Sequence, residues 1–87
     1  MFNDKVFKAL ADSNRRRIIS LLQQQEMTAG EIAAHFDISK PSVSEHLKIL
    51  KNADLIGSER DGQHIRYFLN MSIIEEVIRY FMQITKN

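Results

Sequence analysis

From Ser39 to Asn52 the apolar residues fall at Val43, Leu47 and Leu50. Spacings of four and three put them on one face of a helix. Ser39 stands where an N-cap belongs, and Pro41 lies in the first turn, where a missing N–H costs nothing. The opposite face carries Lys40, Ser42, Ser44, Glu45, His46 and Lys48. Those side chains are short or hydrogen-bonding and crowd toward the N-terminal end. A helix that enters a DNA major groove by its first turns, with its back on a core, needs this distribution.

The same pattern predicts four more helices. Residues 3–11 form a short amphipathic helix with Val6, Phe7 and Leu10 as its stripe and Asn3 or Asp4 as cap. Asp12-Ser13-Asn14 is a cluster of turn and cap residues before a second helix at about 14–24. There Ile18, Leu21 and Leu22 face inward, with Ile19 beside them. Thr28 with Glu31 three positions on has the form of a capping box, and it opens a third helix whose Ile32, Ala33 and Phe36 turn inward. Asp37-Ile38 leaves room only for a tight turn before Ser39, so the third and fourth helices form a helix-turn-helix unit.

After Ala53 the period changes from helical to alternating. Two runs rich in β-formers, LIGSERD and QHIRYFL, flank Asp61-Gly62. Asp-Gly between such runs predicts a hairpin with a type I′ turn, which needs positive φ at both central positions. A hairpin directly after a helix-turn-helix is a wing. Arg60, Gln63 and His64 stand at its tip, to reach an adjacent minor groove or to lie on phosphates. Residues 72–85 form a last helix with Ser72 as cap. Its Ile73, Ile74, Val77, Ile78, Phe81, Met82 and Ile84 present more apolar surface than one small core requires. With Phe2, Val6 and Phe7 of the first helix, they predict a dimer surface. A terminal helix folded back on its own monomer is the competing reading. The fold class is therefore mainly α with a β-hairpin: one winged helix-turn-helix domain over residues 1–87, with dimerisation helices at both ends, about 3–11 and 72–85.

Composition narrows this picture. Eighty-seven residues support one small domain. An apolar share of 44% argues against disorder. The absence of Cys excludes disulfides, Cys-based zinc sites and Cys nucleophiles. No apolar run is long enough to span a membrane and no signal-peptide pattern opens the chain, so the expected location is the cytoplasm.

Net charge is only +1, low for a DNA-binding domain, but its distribution is uneven. Lys5, Lys8 and Arg15-Arg16-Arg17 make the first seventeen residues basic, while Glu26, Glu31 and Asp37 make the next stretch acidic. Three arginines in the first turns of a helix run against its dipole. Phosphate contact and salt bridges to carboxylates such as Asp12 are two open accounts of them. His35, His46 and His64 have no i, i+4 partner and lie on three separate elements, so they predict no metal site. Nothing resembles a phosphate loop, a triad or paired catalytic carboxylates, so neither enzymatic activity nor a cofactor is expected.

Three stretches carry a family resemblance. FKALADSNRRRIISLL, MTAGEIAAHFDISKPSVSEHLKILKNADLI and ERDGQHIRYFL together resemble the ArsR family of winged helix-turn-helix repressors across nearly the whole chain. The short length and MTAGEIAAHFDISKPSVS are most similar to the SdpR-type autorepressors within that family. The resemblance implies a homodimer built on the first and last helices, using Phe2, Val6, Phe7, Ile74, Val77, Ile78, Phe81 and Met82. It implies double-stranded DNA as partner, an operator of two inverted half-sites, and repression by blocking polymerase. Carried over by position, DNA contacts fall on Lys40, Ser42, Val43, Ser44, His46 and Lys48. Thr28 and Ala29 add contacts from the start of the third helix, and Arg60, Gln63 and His64 from the wing. In this family the arginine pair matching Arg15 and Arg16 often packs beneath the recognition unit.

Metal sensors of the family place a Cys pair where this chain has Ala29-Gly30-Glu31-Ile32-Ala33, and His and acidic ligands where it has Ser72-Ile73-Ile74-Glu75-Glu76. Sensing through either site is not expected. The subgroup implies relief by a membrane protein that sequesters the repressor. A ligand-gated regulator without Cys and a winged-helix protein-interaction module are the alternative functions.

Overall fold

The computed structural model describes residues 4–86; Phe2 and Asn3, two of the residues singled out above, lie outside the described part. Eight elements follow in order: α1 (Asp4–Leu10), α2 (Ser13–Gln24), β1 (Met27–Thr28), α3 (Ala29–Ala33), α4 (Lys40–Asn52), β2 (Ile56–Asp61), β3 (His64–Leu69) and α5 (Met71–Thr85). This is a winged helix-turn-helix of five helices and a three-stranded antiparallel sheet.

Local chemistry explains most boundaries. Asp12 caps α2, its carboxylate accepting from Asn14 N at 2.8 Å and Arg15 N at 3.1 Å. Thr28 and Glu31 close the capping box at the start of α3, with Thr28 N donating to Glu31 Oε1 at 2.8 Å and Glu31 N to Thr28 Oγ1 at 3.2 Å. Ser39 caps α4 through Ser42 N at 3.2 Å. The C-terminus of α4 closes in a Schellman motif, with Leu55 N donating to Leu50 O at 3.1 Å and Asp54 N to Lys51 O at 3.0 Å. The motif puts Asp54 in the left-handed region at φ 60°, a conformation usually left to glycine.

Sequence periodicity misses β1, which is two residues long and pairs antiparallel with β3 through Met27↔Tyr67 and Thr28↔Arg66. The sheet order is β1-β3-β2. The wing turn lies one residue beyond the expected Asp61-Gly62. The β2–β3 ladder runs from Ile56↔Leu69 out to Asp61↔His64, leaving Gly62-Gln63 as the loop. Only Gly62, at φ 65°, has positive φ there, so glycine at the first central position makes the pattern that of a type II′ turn. The last helix also differs: Asn70, not Ser72, is its N-cap residue, and no side chain caps it.

The core joins Val6 and Ala9 of α1 to Ile18, Leu22, Met27, Ile32, Val43, Leu47, Leu50, Ala53, Leu55 and Ile56. Val6 is therefore a core residue, 1% exposed, rather than part of a dimer surface, and α1 contributes to the core. Ile73, Ile74 and Val77 pack against its edge, while no residue of α5 is fully buried. The Cα radius of gyration is 13.6 Å, against about 12 Å for a compact chain of this length. An α5 that lies mostly in solvent accounts for the elongation.

Candidate nucleic-acid interface

Val43, Leu47 and Leu50 anchor α4 to the core and fix which side it shows to solvent. At 3.6 residues per turn, Glu45 projects nearly opposite that anchor, with Pro41 and Lys48 beside it. Lys40, Ser44 and Lys51 lie on the flank toward α3 and β2. Ser42, His46 and Ile49 lie on the flank toward α1 and α2. Lys40, Ser42, Ser44, Glu45 and Lys48 are all exposed. Val43 is 1% exposed: its side chain packs inside and cannot reach a base, so it leaves the set of contact residues. The Ser42 hydroxyl is 2.9 Å from that of Ser39, which ties it to the cap. The Glu45 carboxylate has neither hydrogen bond nor ion pair among the described residues, so it faces solvent at the centre of the exposed surface.

Thr28 and Ala29 are half-buried at the start of α3. The Thr28 side chain is engaged in the capping box, and the backbone N–H it directs at Glu31 holds that carboxyl below the ordinary glutamate range. Ala29, Gly30 and Ala33 line a shallow groove with Lys40, Val43 and Ser44, where the two helices of the unit meet. Arg60, Gln63 and His64 are exposed at the wing tip. Arg60 Nη1 donates to Gly62 O at 3.5 Å, and Arg66 pairs with Asp61 across the ladder at 3.6 Å. Lys51 Nζ donates to Ser58 Oγ at 2.6 Å, joining the end of α4 to β2.

Among the described residues the arginine triplet makes no ion pair with a carboxylate, Asp12 included. Arg15 Nε donates to Ala9 O at 2.7 Å and Nη2 to Lys8 O at 3.1 Å. Arg16 Nη1 donates to Leu10 O at 2.8 Å. The first turn of α2 thus supplies cations to the last carbonyls of α1, where the dipole of α1 favours them. Arg17 lies over the Phe36 ring, 4.8 Å from its centroid. Arg15 also reaches the recognition helix, with Nη1 3.3 Å from His46 Nδ1. No sequence rule names that pairing. The one available signal was three cations at a helix start with no local reason to be there.

Phe7, 38% exposed, packs edge-on against Tyr80 and Phe81 of α5 with centroids 5.9 and 6.4 Å apart. Ile78, Phe81 and Met82 are each more than half exposed. Ile74 and Val77 are half-buried against the core. Among the described residues no three side chains converge in a way that would hold a metal ion.

Comparison with known proteins agrees with this architecture. The model of the family described as bacterial regulatory protein, arsR family, matches residues 12–58, from the α2 cap into the wing. The chain is 49% identical over 79 residues to the transcriptional repressor SdpR of Bacillus subtilis (strain 168), covering 91% of this chain and 88% of that one. It is 35% identical over 74 residues to the arsenical resistance operon repressor of Staphylococcus aureus, covering 85% and 71%. The crystal structure of a possible transcriptional regulator for arsenical resistance superposes with a TM-score of 0.82 at 30% identity, covering 94% of this chain and 84% of that one. An ArsR-like transcriptional regulator from Rhodococcus sp. RHA1 superposes at 0.84 with 27% identity, covering 94% and 77%. These relatives are transcriptional regulators, not enzymes. The chain belongs to the arsR family of bacterial regulatory proteins.

Proposed function

We propose that this protein is a DNA-binding transcriptional repressor that acts as a homodimer on an inverted-repeat operator and represses its own promoter. The observation that carries the reading is α4: its back is sealed in the core while Lys40, Ser42 and Ser44 stand exposed along its N-terminal half, with Lys48 exposed one turn beyond Ser44. Ser44 and the solvent side of Ser42 suit base edges, and His46 reaches them from the flank. Lys40 and Lys48 suit phosphates, which set register and affinity rather than sequence. Thr28 and Ala29 approach the backbone from α3, and Arg60, Gln63 and His64 approach from the wing.

A dimer is supported by α5, which buries none of its own residues. Phe7, Ile78, Phe81 and Met82 form the exposed part of that surface, and Ile74 and Val77 continue it toward the core. Two recognition helices in one dimer would enter successive major grooves ~34–36 Å apart. Likeness to SdpR supports an autorepressor relieved by a membrane protein that captures it, and a cytoplasmic location. No helix of the described chain is itself long and apolar enough to cross a membrane.

Selection of bound duplexes from random DNA, followed by a salt titration, tests the reading. The selected duplex should contain an inverted repeat and bind far more tightly than a scrambled one. Its log Kd should change by roughly 0.9 per phosphate contact per decade of salt. Ser44→Glu with Lys48→Glu should abolish binding and leave the circular dichroism unchanged. Equal affinity for selected and scrambled duplexes at physiological salt would sink the proposal.

A further inference from the structure

Arg15 touches two elements that the sequence keeps far apart. Its Nε and Nη2 are committed to Ala9 O and Lys8 O, and its backbone N–H to the Asp12 carboxylate. The guanidinium plane is therefore fixed from one side, and Nη1 is delivered to His46 Nδ1 at 3.3 Å. A guanidinium can only donate. Nδ1 must therefore offer its lone pair, and a neutral imidazole then carries its proton on Nε2. Nε2 has no partner among the described residues, and His46 is half-buried on the flank of the helix assigned to the major groove. Lysine could not do the same work, because its ammonium lacks the rigid fork that spans three acceptors.

We propose that Arg15 is a positioning residue for DNA reading. It holds His46 as the Nε2–H tautomer, so that α4 presents a hydrogen-bond donor to an acceptor on the DNA. The inference rests on the DNA-binding function proposed above. The acceptor is a purine N7 in the major groove or a phosphate oxygen; both accept the same N–H.

Three measurements on the full chain test it. Long-range ¹H–¹⁵N NMR of the free protein, in mildly alkaline solution where an ordinary imidazole is neutral, should show His46 with Nε2 protonated and Nδ1 bare. Arg15→Lys should return it to a mixture of tautomers. Next, the duplex recovered by selection is substituted one purine at a time with 7-deazapurine, and one linkage at a time with methylphosphonate. One such substitution should weaken wild-type binding roughly tenfold yet weaken His46→Ala no further. A 7-deaza position identifies a base, and a methylphosphonate position identifies the backbone. Arg15→Lys should also lose that selective penalty, which a purely structural arginine would not control. An Nδ1–H tautomer in the wild type overturns the proposal, whether or not any variant folds. So does a wild type that binds the selected duplex specifically while no substitution couples to His46; that outcome leaves the repressor reading standing. Absence of any specific duplex overturns both, and the tautomer then still shows whether Arg15 sets the imidazole.

Discussion

Gly57 lies under the ring of Phe68, its partner across the β2–β3 ladder. A Cβ built on Gly57 would fall 2.6 Å from Phe68 Cε1 and 2.7 Å from Cζ. The ring covers bare backbone where a side chain would otherwise stand. Gly57→Ala must push the far end of that ring aside and should therefore destabilise the domain by about 1 kcal/mol at most. Urea denaturation checks the value. A double-mutant cycle checks the cause, because the penalty should largely vanish in a Phe68→Ala background. Equal penalties in both backgrounds would place the cost in the backbone.

Arg16 separates the two accounts of the arginine triplet. Its guanidinium serves the Leu10 carbonyl on an exposed edge. Arg16→Met should cost less than ~1 kcal/mol of stability, as exposed charged contacts do. It should leave the salt dependence of DNA binding unchanged. A phosphate contact at Arg16 would instead lower the slope by roughly 0.9.

That contrast shows what the sequence could carry. The caps at Ser39 and Thr28 and the helical stripe Val43, Leu47, Leu50 depend on residues within a few positions of one another, so spacing alone reveals them. The arginines act on backbone carbonyls of Lys8, Ala9 and Leu10, which have no side-chain signature. Strand β1 is too short to show a period and exists because β3 offers it an edge. The wing was legible, but its turn was not: Asp-Gly and Gly-Gln each supply a glycine for positive φ, and only the ladder decides between them. Likeness assigns Val43 to DNA, although its own periodicity places it in the core. How α1 docks has no local signature, so the stripe of α1 alone does not separate Val6 from a dimer surface.

Asp12 predicts the acid limb of stability. The Arg15 N–H, the larger cause, and then the Asn14 N–H stabilise its charged form and lower its pKa below the ordinary aspartate range. A group whose folded pKa is depressed contributes stability that is fully present above the unfolded value. That contribution is lost as pH falls through the folded one. Unfolding midpoints of wild type and Asp12→Ala should differ at neutral pH and converge in acid, as pH falls through the depressed folded pKa. A constant gap across the range would mean that the carboxylate charge plays no part in the cap.

Asp54 holds the left-handed position of the Schellman motif without being glycine. Asp54→Gly relieves that conformation but frees the unfolded chain, so the net gain should be modest, up to ~1 kcal/mol. Asp54→Val puts a β-branched residue at positive φ and should cost ~1–2 kcal/mol. Opposite signs for the two variants in thermal denaturation are the expected result. The same sign for both would show that the αL backbone is not what position 54 is selected for.

The last helix decides the assembly. On one monomer, α5 leaves Ile78 55%, Phe81 51%, Met82 56% and Ile84 56% exposed. Phe7, Tyr80 and Phe81 meet edge-to-face beside them, an aromatic cluster at the junction of α1 and α5. Soluble monomers rarely leave an apolar stripe of this kind in water, and a second copy of the same helix matches it by symmetry. Light scattering at micromolar concentration should therefore give the mass of a dimer. Phe81→Glu should give the mass of a monomer with nearly unchanged circular dichroism, because it puts a charge into the exposed apolar surface of α5 while the monomer core does not include Phe81. DNA binding should weaken in step, since one recognition helix then reads one half-site alone. A monomeric wild type would reassign the apolar surface of α5 to a different partner.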